Sequence, residues 1–279
     1  MVESKFKKYL TLTICYLVMA VVLVVTVYPL VWMIFCSFKT VGEFYTNTWL
    51  PPSKWYIGNF VTAWVRADMG TRYMNSIMVT GLYLLINIPV AMCASYAFSR
   101  VRFVGRNQIY KVLLAGIMIP TGVLTLPIYS VMVQFHLLNS RVGLSLVYAG
   151  MSTAFSIFIM RTFFISLPKG LEEAAQIDGC SMFGAFARVI VPLTKPGIMI
   201  LLIYNGISNW SEYQLASLTL TSNAKQTVPV GMALFQNDKA IEYTVLFAAL
   251  TLATVPLVAL YLVCQKAFIS GMTAGAVKG

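Results

Sequence analysis

Six long apolar stretches constrain this chain more than any other feature of its sequence. They lie near residues 10–38, 73–98, 108–133, 142–165, 197–220 and 243–268. Each can cross a hydrocarbon layer about 30 Å thick, which takes roughly 20 helical residues at about 1.5 Å per residue. The chain is 59% hydrophobic and only 10% charged, which is outside the usual range of soluble domains. We therefore expect an integral membrane protein.

The same stretches favour helices over a transmembrane barrel. They are apolar throughout, whereas barrel strands alternate between apolar and polar residues over about ten positions. We predict an all-α fold, a polytopic membrane helical bundle with six transmembrane helices. Residues 1–72 would form the first helix and an outer interfacial segment, residues 73–268 a core of five helices, and residues 269–279 a cytoplasmic tail.

The basic residues predict the orientation of the chain. The formal net charge is +11, but Lys and Arg lie at the ends of apolar stretches rather than in one patch, which argues against a nucleic-acid partner. If the N-terminus is cytoplasmic, most of the 20 basic residues fall on that side, with the densest cluster from Arg100 to Lys111. The positive-inside rule then places both termini in the cytoplasm, together with residues 166–196, called the charged loop below.

The charged loop is unusually polar for a segment between two apolar stretches. Glu172, Glu173 and Asp178 lie close together and must face water. The adjacent pair Ala174 and Ala175 offers a small-residue surface to another protein. We therefore predict that a second protein docks on this loop.

Capping residues predict two short helices within the charged loop. Ser166 can cap the first helix, Gly179 suits the left-handed residue that ends it, and Ser181 can cap the second, which would run until Pro192. A helix-turn-helix of this kind can transmit a displacement to the spans on either side.

Polar residues in the fifth stretch mark a candidate solute path. They are Asn205, Asn209, Trp210, Glu212 and Tyr213. An unpaired carboxylate near the bilayer centre costs at least about 2.5–3.5 kcal/mol, so Glu212 should face a wet cavity, an interface or a cationic partner, unless it lies at the level of the headgroups. The amides could instead serve as contacts between helices.

No residue cluster predicts catalysis or metal binding. The chain has one histidine, His136, and five cysteines without metal-type spacing. We expect no catalytic residue, no metal and no cofactor on this chain.

The charged loop closely resembles the EAA loop of permease subunits in bacterial ABC importers. That pattern is E-A-A, three residues, Gly, nine residues and I-x-L-P; here E-A-A occupies 173–175, Gly179 follows at the same spacing, and V-I-V-P occupies 189–192. Val189 and Val191 are apolar replacements within this pattern.

Three further stretches resemble the maltose-type carbohydrate permeases. They are Tyr28–Leu30 with Ser37–Lys39, Asn75–Ser76, and the ending G-M-T-A-G-A-V-K-G at 271–279. One position differs, because Ser211 stands where the family's W-N-E-F/Y motif has Asn. The chain is similar to a permease subunit of a bacterial carbohydrate ABC importer over nearly its whole length.

This resemblance implies roles for several residues. The EAA helix would sit in a groove of a separate ATPase, and the tail would contact the ATPase dimer. The coupling residues would be Glu172, Glu173, Ala174, Ala175, Asp178 and Gly179, and the tail contacts Thr273, Gly275 and Lys278. Residues 218–240 would approach an extracytoplasmic solute-binding protein.

The chain lacks the G-x-x-x-x-G-K-[ST] phosphate loop of an ATPase. ATP and Mg²⁺ should therefore bind to the partner ATPase. Six spans would form one wall of a path, which implies a second homologous permease subunit. The expected setting is the lipid bilayer of a bacterial cell membrane.

The expected function is ATP-driven import of a sugar, an oligosaccharide in preference to a smaller one. Trp210 and Tyr213 would suit stacking on sugar rings, and the excess of amides and aromatics over Lys and Arg in the spans favours a neutral solute. The alternatives are an ABC permease for a solute such as glycerol phosphate, an ion-coupled secondary carrier, and a membrane enzyme. A secondary carrier should show intramembrane acids in two repeats, and an enzyme should show a cluster of reactive side chains.

Overall fold

The computed structural model describes residues 5–236 and 242–276. These residues form helices and turns without a β-strand. This confirms the predicted all-α fold, in which each helix satisfies its own backbone hydrogen bonds in an apolar medium.

The helices are numbered in chain order. They are α1 (Lys5–Ser37), α2 (Val41–Thr46), α3 (Gly58–Arg66), α4 (Met69–Arg100), α5 (Arg106–Ile117), α6 (Thr121–Gln134), α7 (Arg141–Ser166), α8 (Gly170–Ile177), α9 (Met182–Leu193), α10 (Lys195–Trp210), α11 (Gln214–Thr219), α12 (Val228–Met232) and α13 (Tyr243–Ala276). In the described part of the chain, α1, α4, α7 and α13 are each long and apolar enough to cross a membrane.

The third predicted span is a bent pair of helices rather than a single rod, and the helix of the fifth span is preceded by a second helix, from the charged loop, at a sharp angle. Helices α5 and α6 meet at 103° and helices α9 and α10 at 69°, so the described residues give up to six spans if each pair counts as one. The first break falls at Pro120, which has no amide hydrogen to continue the helical ladder.

The fifth span was predicted to end too late. Instead of continuing to residue 220, α10 ends at Trp210, and the separate helix α11 follows it. The cause is Glu212, whose carboxylate accepts hydrogen bonds from the amides of Leu215 and Ala216 at 2.7 and 3.1 Å and so starts a new helix.

Two capping predictions in the charged loop are correct and one is wrong. Gly179 has a φ of +86°, and Ser181 Oγ accepts a hydrogen bond from the Gly184 amide at 3.1 Å. Ser166, however, is the last residue of α7 and does not cap α8. The reason is Pro168, which favours an extended backbone at Leu167 and so separates the two helices.

The second helix of the loop also runs further than predicted. It contains one π-helical turn, Phe186–Ile190, and passes through Pro192 to Leu193. Pro192 lies in the first turn after the π-helical segment, where a proline is tolerated.

Close contacts divide the chain into two compact units. The first contains Met1–Ala67 and Met232–Thr254, and the second contains Asp68–Gly231 and Val255–Gly279. The predicted division at residues 72 and 268 stays a prediction.

A buried lysine organises the described residues of the first unit. Lys39 is fully buried, and its Nζ donates to the carbonyl oxygens of Asn47 and Thr48 at 2.5 and 3.0 Å. Trp32 Nε1 donates to the same Thr48 oxygen at 2.9 Å. The Asn59 side chain donates to the Lys39 carbonyl at 2.7 Å. These bonds fold the chain after α1 back on itself.

We expect Lys39→Met to lower the free energy of unfolding by about 1–3 kcal/mol, because the half-buried carbonyl groups of Asn47 and Thr48 then lose their lysine donor. Thermal unfolding of the purified chain in detergent measures the change. Lys54→Met is the matched control, because the Lys54 side chain is exposed. Equal melting temperatures for the two variants would contradict the expectation.

The same unit contains an exposed aromatic segment. Trp49, Trp55, Tyr56 and Trp64 are all exposed, as side chains at a membrane interface would be. Hydrogen bonds from the Ser53 amide and hydroxyl hold the pKa of Glu43 below its ordinary value. The interfacial location of this segment stays a prediction.

The second unit is built on the packing of α4 against α7. One apolar cluster lies under the charged loop and includes Tyr96, Phe164, Phe186 and Ile190. The π-helical turn contributes Phe186, whose ring centroid lies 4.7 Å from that of Tyr96. The loop is thereby packed directly on the long helices of the unit.

Candidate functional site

The two neighbouring glutamates of α8 have opposite environments. Glu172 Oε1 lies 2.9 Å from Arg100 Nε, and the two side chains are only 13% and 6% exposed. Arg100 Nη2 also donates to the Leu167 carbonyl oxygen at 2.7 Å. Glu173, in contrast, is exposed. Helix α8 is therefore attached to the end of α4 through Glu172 and presents Glu173 to its surroundings.

The two alanines of the motif also differ. Ala175 is buried against the protein, whereas Ala174 and Asp178 are exposed. The prediction that both alanines offer a surface to another protein is therefore wrong for Ala175. Ala175 packs against the protein, as Glu172 does.

Sequence reasoning missed one residue of this surface, Ile177, which is 86% exposed. Its spacing of four from Glu173 puts both on one side of the helix, and this spacing was the available signal. Glu173, Ala174 and Ile177 of α8 and Asp178 directly after it are exposed and are called the α8 face below. Leu171 and Gln176 are also exposed.

The predicted path residue Asn205 belongs to a buried polar cluster between α4, α7 and α10. Its Nδ2 lies 3.1 Å from Asn87 Oδ1 and 2.9 Å from Ser156 Oγ. Ser156 Oγ donates to the same Asn87 oxygen at 2.7 Å. All three side chains are buried. Asn205 is therefore a contact between helices, the second of the two roles that the sequence left open.

Glu212 lines a cavity, one of the surroundings expected for it, and its carboxylate is also hydrogen-bonded. It accepts a hydrogen bond from the Tyr148 hydroxyl as well as those from the Leu215 and Ala216 amides. Three donors offset the cost of taking the carboxylate out of water. Glu212 thus joins α7 to the start of α11.

A cavity of about 270 Å³ lies beside Glu212. Its lining combines hydroxyl, amide and apolar groups from α4, α6, α7, α10 and α11. The lining residues are Tyr83, Thr121, Thr125, Ile128, Tyr148, Met151, Ser152, Ser208, Asn209, Glu212, Gln214 and Leu215. Sequence reasoning found Asn209 and Glu212 here but missed the tyrosines, because nothing in their local sequence distinguishes them from packing residues.

The aromatic pair predicted to stack on sugar does not line this cavity. Trp210 is buried, with its ring centroid 5.9 Å from that of Tyr73, and Tyr213 is exposed outside the lining. Asn209 accepts a hydrogen bond from Thr80 Oγ1 at 2.9 Å and does line it. Tyr83 and Tyr148 are the aromatic residues that the cavity presents instead.

The tail residues lie at the edge of the described structure. Thr273 and Gly275 belong to α13, with the Thr273 side chain outside the described part, and Lys278 lies outside the described residues altogether. Their contact with an ATPase stays a prediction. Among the described residues, no group of three or more His, Cys, Asp or Glu side chains is placed to hold a metal ion.

Comparison with known proteins shows the family of this chain. The sequence profile of the family described as "Binding-protein-dependent transport system inner membrane component" matches residues 87–274. The chain is 34% identical to a diacetylchitobiose uptake system permease protein of Streptomyces coelicolor over 90% of this chain and 84% of that protein. It is 31% identical to a melibiose/raffinose/stachyose import permease protein of Bacillus subtilis over 87% of this chain and 88% of that protein.

A solved structure has the same fold. It is a bacterial ABC transporter involved in the import of the acidic polysaccharide alginate, similar with a TM-score of 0.83 over 95% of this chain and 99% of that one, at 21% identity. These matches favour ATP-driven import over a secondary carrier or a membrane enzyme. The chain therefore belongs to the family of binding-protein-dependent transport system inner membrane components, as a multi-pass permease subunit of an ABC importer.

Proposed function

We propose that this permease subunit imports a neutral sugar, and an oligosaccharide rather than a smaller sugar. The observation that carries the proposal is the cavity beside Glu212, whose described lining offers hydroxyls, amides and two tyrosines and includes no lysine or arginine. Such a lining suits the hydroxyl groups and apolar ring faces of a sugar, whereas a phosphate requires a cationic partner. The named substrates of the two relatives above are also sugars.

The α8 face is the proposed contact with a separate ATPase. Glu173 would make a charged contact, and Ala174 and Ile177 would pack against the partner. Gly179 ends the helix in a left-handed turn, which separates α8 from α9. Glu172 would act indirectly, through its ion pair with Arg100 of α4, rather than by contact with the ATPase.

The proposed assembly contains a second homologous permease, an ATPase dimer and a solute-binding protein. ATP and Mg²⁺ would bind to the ATPase, and this chain would bind neither. The charged loop and both termini would lie in the cytoplasm, and the tail with Thr273, Gly275 and Lys278 would touch the ATPase. The start of α4 and residues 218–236 would then face outwards, towards the binding protein.

A reconstituted importer tests the proposal. The chain is purified with its second permease and ATPase in lipid nanodiscs, and ATP hydrolysis is measured with the solute-binding protein and a panel of mono-, di- and trisaccharides and glycerol phosphate. We expect one neutral sugar to stimulate hydrolysis and glycerol phosphate to have no effect. Stimulation by glycerol phosphate alone would overturn the sugar assignment. Uptake that an ionophore abolishes while ATP stays high would overturn ATP-driven import.

A further inference from the structure

A second buried polar cluster, at the start of α4, belongs to neither the cavity nor the charged loop. Its centre is Asn75, which is 1% exposed. Asn75 Nδ2 donates to the carbonyl oxygens of Ala224 and Gln226, both at 2.9 Å, and Asn75 Oδ1 accepts from Arg141 Nη1. Both amide hydrogens and the carbonyl oxygen of this one side chain are thus used.

The bonds of Asn75 hold a particular piece of chain, residues 222–228, called the clasped segment below. Two neighbours of Asn75 on α4 add to the hold. Ser76 Oγ accepts a hydrogen bond from the Val228 amide at 2.9 Å, and Arg72 Nη1 donates to Gln226 Oε1 at 2.8 Å. One turn of α4 therefore fixes the clasped segment at several points.

The turn before α7 holds the other end of the clasped segment. Asn139 has a φ of +52°, and its Oδ1 accepts a hydrogen bond from the Ser222 amide at 3.2 Å. Its carbonyl oxygen accepts from Lys225 Nζ at 2.8 Å, and its amide donates to the Thr219 carbonyl at 2.7 Å. Three hydrogen bonds thus hold Asn139 in the left-handed conformation. Asparagine adopts this conformation more readily than most residues do.

These hydrogen bonds fix the backbone of the clasped segment and leave its tip accessible. Asn223 and Ala224, at the tip of the clasped segment, are exposed, while Thr227 and Val228 at its end are buried. A loop with an ordered backbone gains affinity for a partner, because less conformational entropy is lost on binding.

We infer that Asn75 is a positioning residue for the solute-binding protein, because it fixes the clasped segment in the shape on which that protein docks. This inference rests on the proposed orientation, in which the start of α4 faces outwards. The tip offers a small neutral surface, Asn223 and Ala224, so the contact would be made by shape and backbone groups rather than by charge.

The test separates docking from folding. Asn75→Asp keeps the size of the side chain and its contact with Arg141, but it removes both donors to the clasped segment. In the nanodisc importer, ATP hydrolysis is measured against the concentration of solute-binding protein, loaded with the panel sugar that stimulates the wild type most. We expect the half-maximal concentration to rise about tenfold, which corresponds to about 1.4 kcal/mol, with little change in the maximal rate. Ser76→Ala should give a rise of about threefold, because it removes one hydrogen bond of the same hold.

The control is Gln134→Glu, which adds the same charge at an exposed position at the end of α6 and should behave as the wild type. If Asn75→Asp lowers the melting temperature or the maximal rate and leaves the half-maximal concentration unchanged, the inference is wrong and Asn75 is purely structural. If Asn75→Asp does not assemble, the Ser76→Ala titration decides by the same criterion. A wild-type importer that its binding protein does not stimulate would instead overturn the proposed function.

Discussion

Glu173→Lys is expected to abolish ATP-driven uptake while the permease still assembles in the membrane. Glu173 is exposed on α8, so its replacement disturbs no described contact within the chain, whereas a like-charge contact at a protein interface costs several kcal/mol. Uptake of radiolabelled sugar into proteoliposomes should fall at least about tenfold. Retention of the ATPase on the affinity-purified permease should fall with it.

Glu173→Gln is the graded control for this experiment. It removes the charge but keeps the side chain's size and polarity, so we expect partial uptake, between that of the wild type and that of Glu173→Lys. The amount of permease in the membrane should be equal in all three. Unchanged uptake in Glu173→Lys would show that the α8 face does not carry the charged contact.

Arg100→Leu should cause the largest loss of stability in the second unit. It leaves the Glu172 carboxylate, only 13% exposed, without its guanidinium partner. Removing one member of a buried ion pair costs about 3–5 kcal/mol, because the remaining charge is uncompensated. The change is measured by thermal or denaturant unfolding of the purified chain in detergent.

The double variant Arg100→Leu with Glu172→Leu completes a mutant cycle. Replacing both partners of a buried pair by apolar side chains is often neutral, so most of the lost stability should return. Uptake should remain low in this stable double variant, because α8 is no longer tied to the end of α4. A double variant as unstable as Arg100→Leu would mean that the ion pair is not the cause of the loss.

Local chemistry made part of this structure predictable. The apolar stretches indicate helices because lipid offers no partner for backbone groups. Gly179 and Ser181 mark the turn because the end of one helix and the start of the next depend only on groups a few residues away. The EAA spacing likewise located α8. In each case the information lies within a few residues of the feature.

The rest depended on partners distant in the chain. Glu172 and Glu173 are adjacent and chemically identical, and only the approach of Arg100 at the end of α4 separates their roles. The end of the fifth span was misplaced because the carboxylate of Glu212 accepts hydrogen bonds from Tyr148 and from the first amides of α11, and the local sequence does not show these partners. The tyrosines of the cavity were missed for the same reason, since tertiary packing alone shows which aromatics face open space.

The ion pair between Glu172 and Arg100 determines where a force on α8 is passed to the rest of the protein. The helix is fixed near its beginning at Glu172, and its far end carries the exposed Ile177 and ends at the left-handed Gly179. At about 1.5 Å per residue, a load on Ile177 acts roughly 7.5 Å from that fixed point. A sideways load on Ile177 would therefore be passed to α4 through Glu172 and Arg100, with the buried Ala175 sharing it.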